Sequence, residues 1–500
     1  MSGYLKRLAR ALVAYQVADL VSKVMAVLLL PVYTRYIDPS GYGVVELLAN
    51  SVIFASIVVR FGMIESFLRF HFSDEDPERR QALARRAVAF LLLTTTIVAA
   101  ALAAAAEPLS RLILGHRDTA TFLVAVLGLW TFTNLELAYG LLRVTERIRV
   151  YAVASLANVI MTIVASVVLV VGLHDGPRGL LIANYGASTV VLVALWVSMR
   201  SELAPRSVPG VERFRVLLGF GLPTVPAEAS VYALSVVDRY FIQFSRGAAA
   251  VGLYSIAIKL AGTVAFLVRA FQYAWPPLAY SVRDDAEAAR VYGLVATYYL
   301  LLSGWVVAAL ALRGRWGLRL LAAPRFYPAH GALTWVALGW ALYGLWVVFL
   351  VIAGRAKVTT RNFPASLVGL AVNVGLLFAL VPGLGITGAG LALCGAYLAM
   401  LTVMHLLTRR AFAVDFEWAR ILHLSAVYTA VAVAGELLAP THGAAGLLIR
   451  VVLVAAMPAS LAGTGFLHDQ ELAGLRSGMR LIRRRGRAGA PVAPGEAGTP

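Results

Sequence analysis

Four lysines occur in this sequence, at positions 6, 23, 259 and 357, and two of them interrupt long apolar stretches. Lys23 lies in ALVAYQVADLVSKVMAVLLLPVY and Lys259 in VGLYSIAIKLAGTVAFLV. A cation at the centre of a membrane helix costs about 2.5–3.5 kcal/mol on insertion scales, so it is retained beside a water-filled cavity, a partner charge or an anionic cargo. Asp19 stands four residues before Lys23, with Gln16 one turn earlier, so the first lysine can be neutralised within its own helix. Lys259 has no acidic residue three or four positions away, and its partner must come from another helix, from water or from cargo. Glu46 and Asn50 share a helical face, Asn134 and Glu136 are close neighbours, and Glu228 follows LPTVP, where Pro223 and Pro226 frame a kink. Arg60, Arg69 and Arg269 fall near the ends of apolar stretches, where they can snorkel to the interface or form the rim of a cationic funnel. The candidate anion-binding set is therefore Lys23, Lys259, Arg60 and Arg269, with Asp19, Glu46 and Glu228 as counter-ions or coupling groups.

The elements that must hold these groups are membrane helices. Of 500 residues, 60% are hydrophobic and 14% charged, too apolar a composition for a wetted surface. Fourteen windows are long enough to cross a hydrocarbon layer of about 30 Å. They lie at 12–35, 43–64, 86–106, 121–142, 151–172, 179–199, 216–238, 249–270, 291–312, 331–353, 363–382, 386–408, 420–438 and 444–465. The first window follows Lys6, Arg7 and Arg10 but contains Asp19 and Lys23, which makes it a span and not a secretory signal. The expected fold is an all-α membrane protein of about 14 helices.

The formal net charge of +18 is concentrated in alternate loops, including Arg79, Arg80, Arg85 and Arg86, then Arg143, Arg147 and Arg149, and the tail run Arg483, Arg484, Arg485 and Arg487. That pattern follows the positive-inside rule, with both termini cytoplasmic, and argues for anionic lipid over nucleic acid as the partner of the basic tail. Arg313, Arg315, Arg319 and Arg325 fall on the predicted outer side, which marks residues 313–330 as the place where a span could be miscounted. A single cysteine, Cys394, excludes an internal disulfide and a cysteine-rich metal site. The eight histidines are scattered, no paired carboxylates suggest catalysis, and no phosphate loop of the Walker type occurs. GLGITG at 383–388 fits a dinucleotide pattern but sits in a turn between apolar spans, outside any βαβ unit. The expectation is a non-enzymatic protein without cofactor or metal.

The chain also resembles itself at a spacing near 210 residues. SLANVIMTIVASVVLVVGLHDGPRGL, from Ser155, aligns with SLVGLAVNVGLLFALVPGLGITGAGL, from Ser366, pairing Gly172 with Gly383 and Gly179 with Gly390. Earlier, Arg35, Tyr36, Gly43 and Arg60 pair with Arg239, Tyr240, Gly252 and Arg269. Each repeat holds six spans, an even number, so the copies run parallel and cargo is expected between them. The expected divisions are 1–205, 206–415, an extra helix pair at 416–466 and a basic tail at 467–500. Asn158 and Asn373 are expected to hydrogen-bond between helices, and Tyr33, Tyr36, Tyr240 and Trp275 to sit in interfacial belts.

Several motifs carry a resemblance to a known group: VYTRYIDPSGYGVVELL, RFGMIESFLRF, AAAVGLYSIAIKLA and RNFPASLVGLAVNVGLLFALVPGLGITGAGLA. Over about residues 8–465 the chain resembles the multidrug, oligosaccharidyl-lipid and polysaccharide exporter superfamily, and within it the Wzx-type polysaccharide flippases. The resemblance implies a V-shaped pair of six-helix lobes that alternate access in a bacterial or archaeal cytoplasmic membrane. It implies an undecaprenyl-diphosphate-linked oligosaccharide as cargo, destined for cell-surface polysaccharide such as O-antigen. Membrane lipids, a polysaccharide polymerase and glycosyltransferases are the implied partners, and the two extra helices the implied groove for the prenyl tail. By position, Lys23 and Lys259 match cavity cations of the related lipid II flippases, while Asn50 is neutral at the approximate span-two place, a departure from them. Drug exporters of the superfamily use an acidic residue in span one for ion coupling, which Asp19 could supply, so the alternatives are a cation-coupled (H+ or Na+) exporter of small amphipathic molecules and a lipid II flippase.

Overall fold

The computed structural model describes residues 25, 27–73, 75–203 and 214–466. In lipid every backbone N–H and C=O must be satisfied within the segment, and the described residues accordingly form helices and turns. In chain order these are α1 (Leu30–Tyr36), α2 (Pro39–Val59), α3 (Met63–Ser73), α4 (Pro77–Ala104), α5 (Ala106–Leu114), α6 (Thr119–Val144) and α7 (Ile148–Ser166), which widens into a π turn at Val167–Gly172. They continue as α8 (Gly176–Ser198), α9 (Phe214–Gly221), α10 (Thr224–Arg246), α11 (Ala248–Ser281), α12 (Asp285–Leu321), α13 (His330–Arg355), α14 (Asn362–Leu384), α15 (Ile386–Thr408), α16 (Trp418–Leu438) and α17 (Gly443–Gly463), with a four-residue turn of helix after α8. Local chemistry sets the starts: the carboxylates of Asp38, Asp76 and Asp118 accept from the amides of Gly41, Glu78 and Thr121, and a proline follows the first two.

Among the described residues twelve helices are long and apolar enough to cross a membrane, or up to thirteen spans where the pair Phe214–Ser230 and Tyr232–Arg246, which meet at 44°, is counted as one. The bend lies between Ser230 and Tyr232, past Pro223 and Pro226, which stand at the N-cap and in the first turn of α10. The first expected span, 12–35, lies mostly outside the described residues, as do Asp19 and Lys23. No additional span occupies the doubtful segment: α12 runs for 37 residues, about 55 Å, through Arg313, Arg315 and Arg319, and a 3₁₀ turn at Pro324–Ala329 leads into α13.

The chain divides into two compact units, one of Met1–Pro276 and Gly314–Phe412, the other of Pro277–Arg313 and Ala413–Pro500. This grouping sets the ninth expected span with the two C-terminal helices and apart from the rest of 206–415. The second unit packs around Leu312, Leu424, Tyr428, Val454, Met457 and Leu461, with the Trp305 indole donating to the Val454 carbonyl at 2.9 Å. Arg450, fully buried there, donates to the Gly435 and Ala439 carbonyls and so ties the end of α16 to α17.

In the first unit, α2 of the first repeat crosses α11 of the second at Gly43 and Gly252, two residues that the internal repeat aligns with each other. A Cβ on Gly43 would overlap the Ala248 carbonyl oxygen, and one on Gly252 the Pro39 carbonyl oxygen. Glycine is required because the two backbones themselves are in contact.

Candidate functional site

Lys259 sits in the middle of α11, and its ammonium is bound by the first repeat. It forms an ion pair of 2.6 Å with Glu46 of α2 and donates to the Tyr42 hydroxyl one turn away. Both partners lie on the α2 face that the Gly43–Gly252 crossing presses against α11, so the close approach of two backbones creates the pair. Beside it opens a chamber of about 280 Å³ lined by α1, α2, α7, α8 and Lys259. Its wall carries Tyr33, Asn158, Thr162 and Asn184, polar but uncharged, between Val159, Ile163, Leu180 and Leu181. Tyr33 is fixed by Ser166 at 2.9 Å, just where α7 changes to the π turn. Counting from the helix ends opposite the arginine-rich loops, Glu46, Asn184, Thr162 and Lys259 lie about 10–16 Å deep.

A polar seam joins α2 and the end of α5 to α10 along the depth of the unit. The Gln243 side chain donates to the Leu114 carbonyl at 2.7 Å, Tyr240 meets Ser51 at 2.8 Å, and Tyr232 donates to the Asn50 side-chain oxygen at 3.0 Å. At the end nearest the arginine-rich loops, Arg60 is enclosed by three carboxylates: Glu136 at 2.9 Å, Glu65 at 3.4 Å, and Glu228, which its guanidinium also contacts. Gly62 and Gly221 approach backbone to backbone at that same end, and the Ser66 hydroxyl donates to the Leu217 carbonyl at 2.6 Å. Repeat one and repeat two are therefore in contact at both ends of the seam. A separate cavity of about 450 Å³ lies among α2, α4, α5, α6 and α10, lined by apolar side chains such as Leu48, Phe54, Leu102, Phe122 and Val236.

The candidates named from sequence thus separate. Lys259 and Glu46 meet at the chamber, and Lys23 and Asp19 lie outside the described residues. Arg60 and Glu228 meet each other about 21 Å further along α2 than Glu46. Arg60 is 6% exposed and paired, which replaces the snorkelling account. Arg269 lies exposed on α11, about 15 Å from Lys259 along the helix, and does not line the chamber. Asn50 is engaged with Tyr232 and with the Glu46 carbonyl oxygen. Asn158 makes the expected contact between helices, accepting from Ser188 at 3.3 Å, whereas Asn373 is buried without a hydrogen-bond partner for its side-chain oxygen. Sequence reasoning passed over Glu65, Tyr42, Thr162 and Asn184. A usable signal existed for Asn184: at the repeat spacing its counterpart is Gly395.

Among the described residues no cluster of His, Cys, Asp and Glu is arranged to hold a metal ion. What the arrangement can do is present an ammonium, a carboxylate and neutral hydrogen-bonding groups to one chamber at bilayer depth.

Comparison with solved structures shows the same fold. A lipid II flippase, MurJ, in an inward closed conformation matches with a TM-score of 0.72 at 13% identity, covering 90% of this chain and 98% of the other. A multidrug-resistance MATE family transporter of the MOP superfamily matches in its inward-facing conformation with a TM-score of 0.63 at 14% identity, covering 83% and 99%. An outward-facing MATE transporter matches at 0.53 and 14% identity, covering 83% and 93%. No curated protein sequence matches this chain significantly. The family model described as "Polysaccharide biosynthesis protein" matches residues 8–279, more than half of the sequence. With the all-helical exporter fold and this match together, the chain belongs to the polysaccharide biosynthesis protein family.

Proposed function

We propose that this protein moves a lipid-linked oligosaccharide, carried on a polyprenyl diphosphate, from the cytoplasmic to the outer leaflet by alternating access. The observation that carries the reading is the Lys259–Glu46 pair at the chamber, where the cation of one repeat is held by the carboxylate of the other. In the conformer described here both ends of the seam are joined and the ammonium is satisfied by Glu46 and Tyr42. A diphosphate entering the chamber competes with Glu46 for Lys259, and release of Glu46 loosens the contact between the repeats. Binding of an anionic headgroup is in this way linked to separation of the two halves. Lys23 is the second cation proposed for the headgroup. The apolar cavity beside α4 and α6 offers a wall on which a hydrocarbon tail can rest. An inside-negative potential assists export of the charged head by about 2.3 kcal/mol per charge per 100 mV. The surplus of carboxylates around Arg60 favours a second reading, in which a proton or sodium ion drives the same cycle.

The test is flipping of a fluorescent polyprenyl diphosphate bearing a glycan in proteoliposomes. Lys259→Met is expected to slow it by about tenfold or more, the effect of losing a charge-assisted contact. Glu46→Gln, which frees the ammonium, is expected to tighten diphosphate binding. Undiminished flipping by Lys259→Met overturns the proposal.

A further inference from the structure

Two side chains on the first-repeat wall of the chamber are unexplained by packing. Asn184 is exposed in the body of α8 and Thr162 half-buried in α7, and neither has a hydrogen-bond partner among the described residues. Their neighbours on the wall differ: Tyr33 is bonded to Ser166, Asn158 to Ser188, and Tyr42 to Lys259. An amide at bilayer depth without a partner is costly unless the cavity it faces brings it water or a ligand. Both groups both donate and accept, carry no charge, and stand at nearly the same depth as the Lys259–Glu46 pair. Repeat symmetry supplies an independent observation. With Gly179 aligned to Gly390, Asn158 and Asn184 correspond to Gly369 and Gly395, where side-chain space is taken by Met400 and Leu376. The amides are thus a property of one wall only and are not a requirement of the helix pair.

We infer that Thr162 and Asn184 form a sugar-reading subsite, which takes the hydroxyl and acetamido groups of the glycan's first residue while Lys259 takes the adjacent diphosphate. This inference rests on the flippase reading and assigns its specificity to one wall. A pyranose presents paired donors and acceptors that an uncharged amide and hydroxyl can match. Val159, Ile163, Leu180 and Leu181 line the chamber beside them and offer an apolar surface to the face of the ring. At about 280 Å³ the chamber lies just below the usual range of about 300–1,000 Å³ for small-molecule sites, so in this conformer it admits a single ring-sized group and not a whole oligosaccharide. Recognition is accordingly placed on the residue next to the diphosphate, leaving the distal sugars unread.

The experiment compares two probes on the full-length protein in proteoliposomes: a short fluorescent polyprenyl diphosphate carrying one N-acetylhexosamine, and the same lipid without the sugar. Asn184→Leu and Thr162→Val are expected to slow the glycosylated probe about fivefold each and leave the bare diphosphate unchanged, while Lys259→Met slows both. Equal slowing of both probes by Asn184→Leu, or no slowing of either, overturns the subsite. Calorimetric titration of the detergent-solubilised protein with water-soluble isoprenyl diphosphates, with and without the sugar, is the second measurement. Sugar-dependent binding that is lost in Asn184→Leu upholds the subsite even where the wild type moves neither lipid, a result that would overturn only the flippase reading. Identical affinity of the wild type for the two headgroups overturns the subsite by itself. Melting of each variant identifies a misfolded protein, and Asn184→Gln, which keeps the amide, is expected to recover part of the sugar dependence.

Discussion

The two helix pairs α7–α8 and α14–α15 are copies of one design, yet one faces a polar chamber and the other is packed shut at the same positions. Asn158 and Asn184 line the chamber from the first copy; Gly369 and Gly395, their counterparts, are covered by Met400 and Leu376. The arginines at the corresponding ends differ just as much. Arg60 is buried among Glu65, Glu136 and Glu228, whereas Arg269 is exposed. A duplicated fold has kept its backbone and divided its side-chain work: the first copy supplies the polar wall, Arg60 and two of its three carboxylates, and the second supplies Glu228, Lys259 and a tight scaffold. Asymmetry of this kind suits the cargo proposed above, a headgroup with an anionic end and a neutral end.

The comparison is most severely broken at the arginines. Arg60→Leu leaves three carboxylates facing one another in a half-buried site and is expected to cost about 3–5 kcal/mol, whereas Arg269→Leu is expected to cost under about 1 kcal/mol. Unfolding midpoints in detergent measure both, and equal losses would remove the distinction between the two ends. A smaller effect is expected from exchanging the walls. Gly395→Asn must displace Leu376 and place an amide among apolar groups, at about 1–3 kcal/mol, while Asn184→Leu leaves stability within about 0.5 kcal/mol, by the same assay. The smallest concerns His71, at the end of α3 and outside the spans, for which the second repeat has Tyr280 at the spacing relating Arg60 to Arg269. Burial and the nearby Arg80 guanidinium hold the His71 imidazole below its usual value of 6.5, with Glu78 and Arg147 lining the same recess. The folded state therefore resists protonating it. Stability is complete above about pH 6.5 and declines as pH falls toward the depressed folded value, and His71→Gln is expected to flatten that decline in melting temperature.

Much of this was legible in the sequence, for a physical reason. Hydrophobic length is read directly, so the spans from Pro39 to Gly463 fall close to where apolar windows put them, and the doubtful stretch at 313–330 resolves into the last turns of α12 and a 3₁₀ turn before α13. The absence of an acid near Lys259 in its own helix correctly required a partner from elsewhere. Which partner it was depended on Gly43 and Gly252 bringing α2 against α11, a tertiary contact that periodicity does not encode. Two features were not legible for the same reason. The association of Pro277–Arg313 with the C-terminal helices depends on packing such as Trp305 against Val454, and Arg60 needed Glu65, Glu136 and Glu228 to converge from three helices. Asn184 was overlooked because a single amide in an apolar helix looks like ordinary interhelical glue until its surroundings are known.

The crossing of Gly43 and Gly252 carries a consequence for motion. Where two helices touch through bare main chain, no knob has to be withdrawn from a hole before one rolls over the other, so resistance to rotation there is low. In the alternating-access cycle proposed above such a point serves as a bearing for the swing of one bundle about its twin, and a side chain on either glycine would jam it.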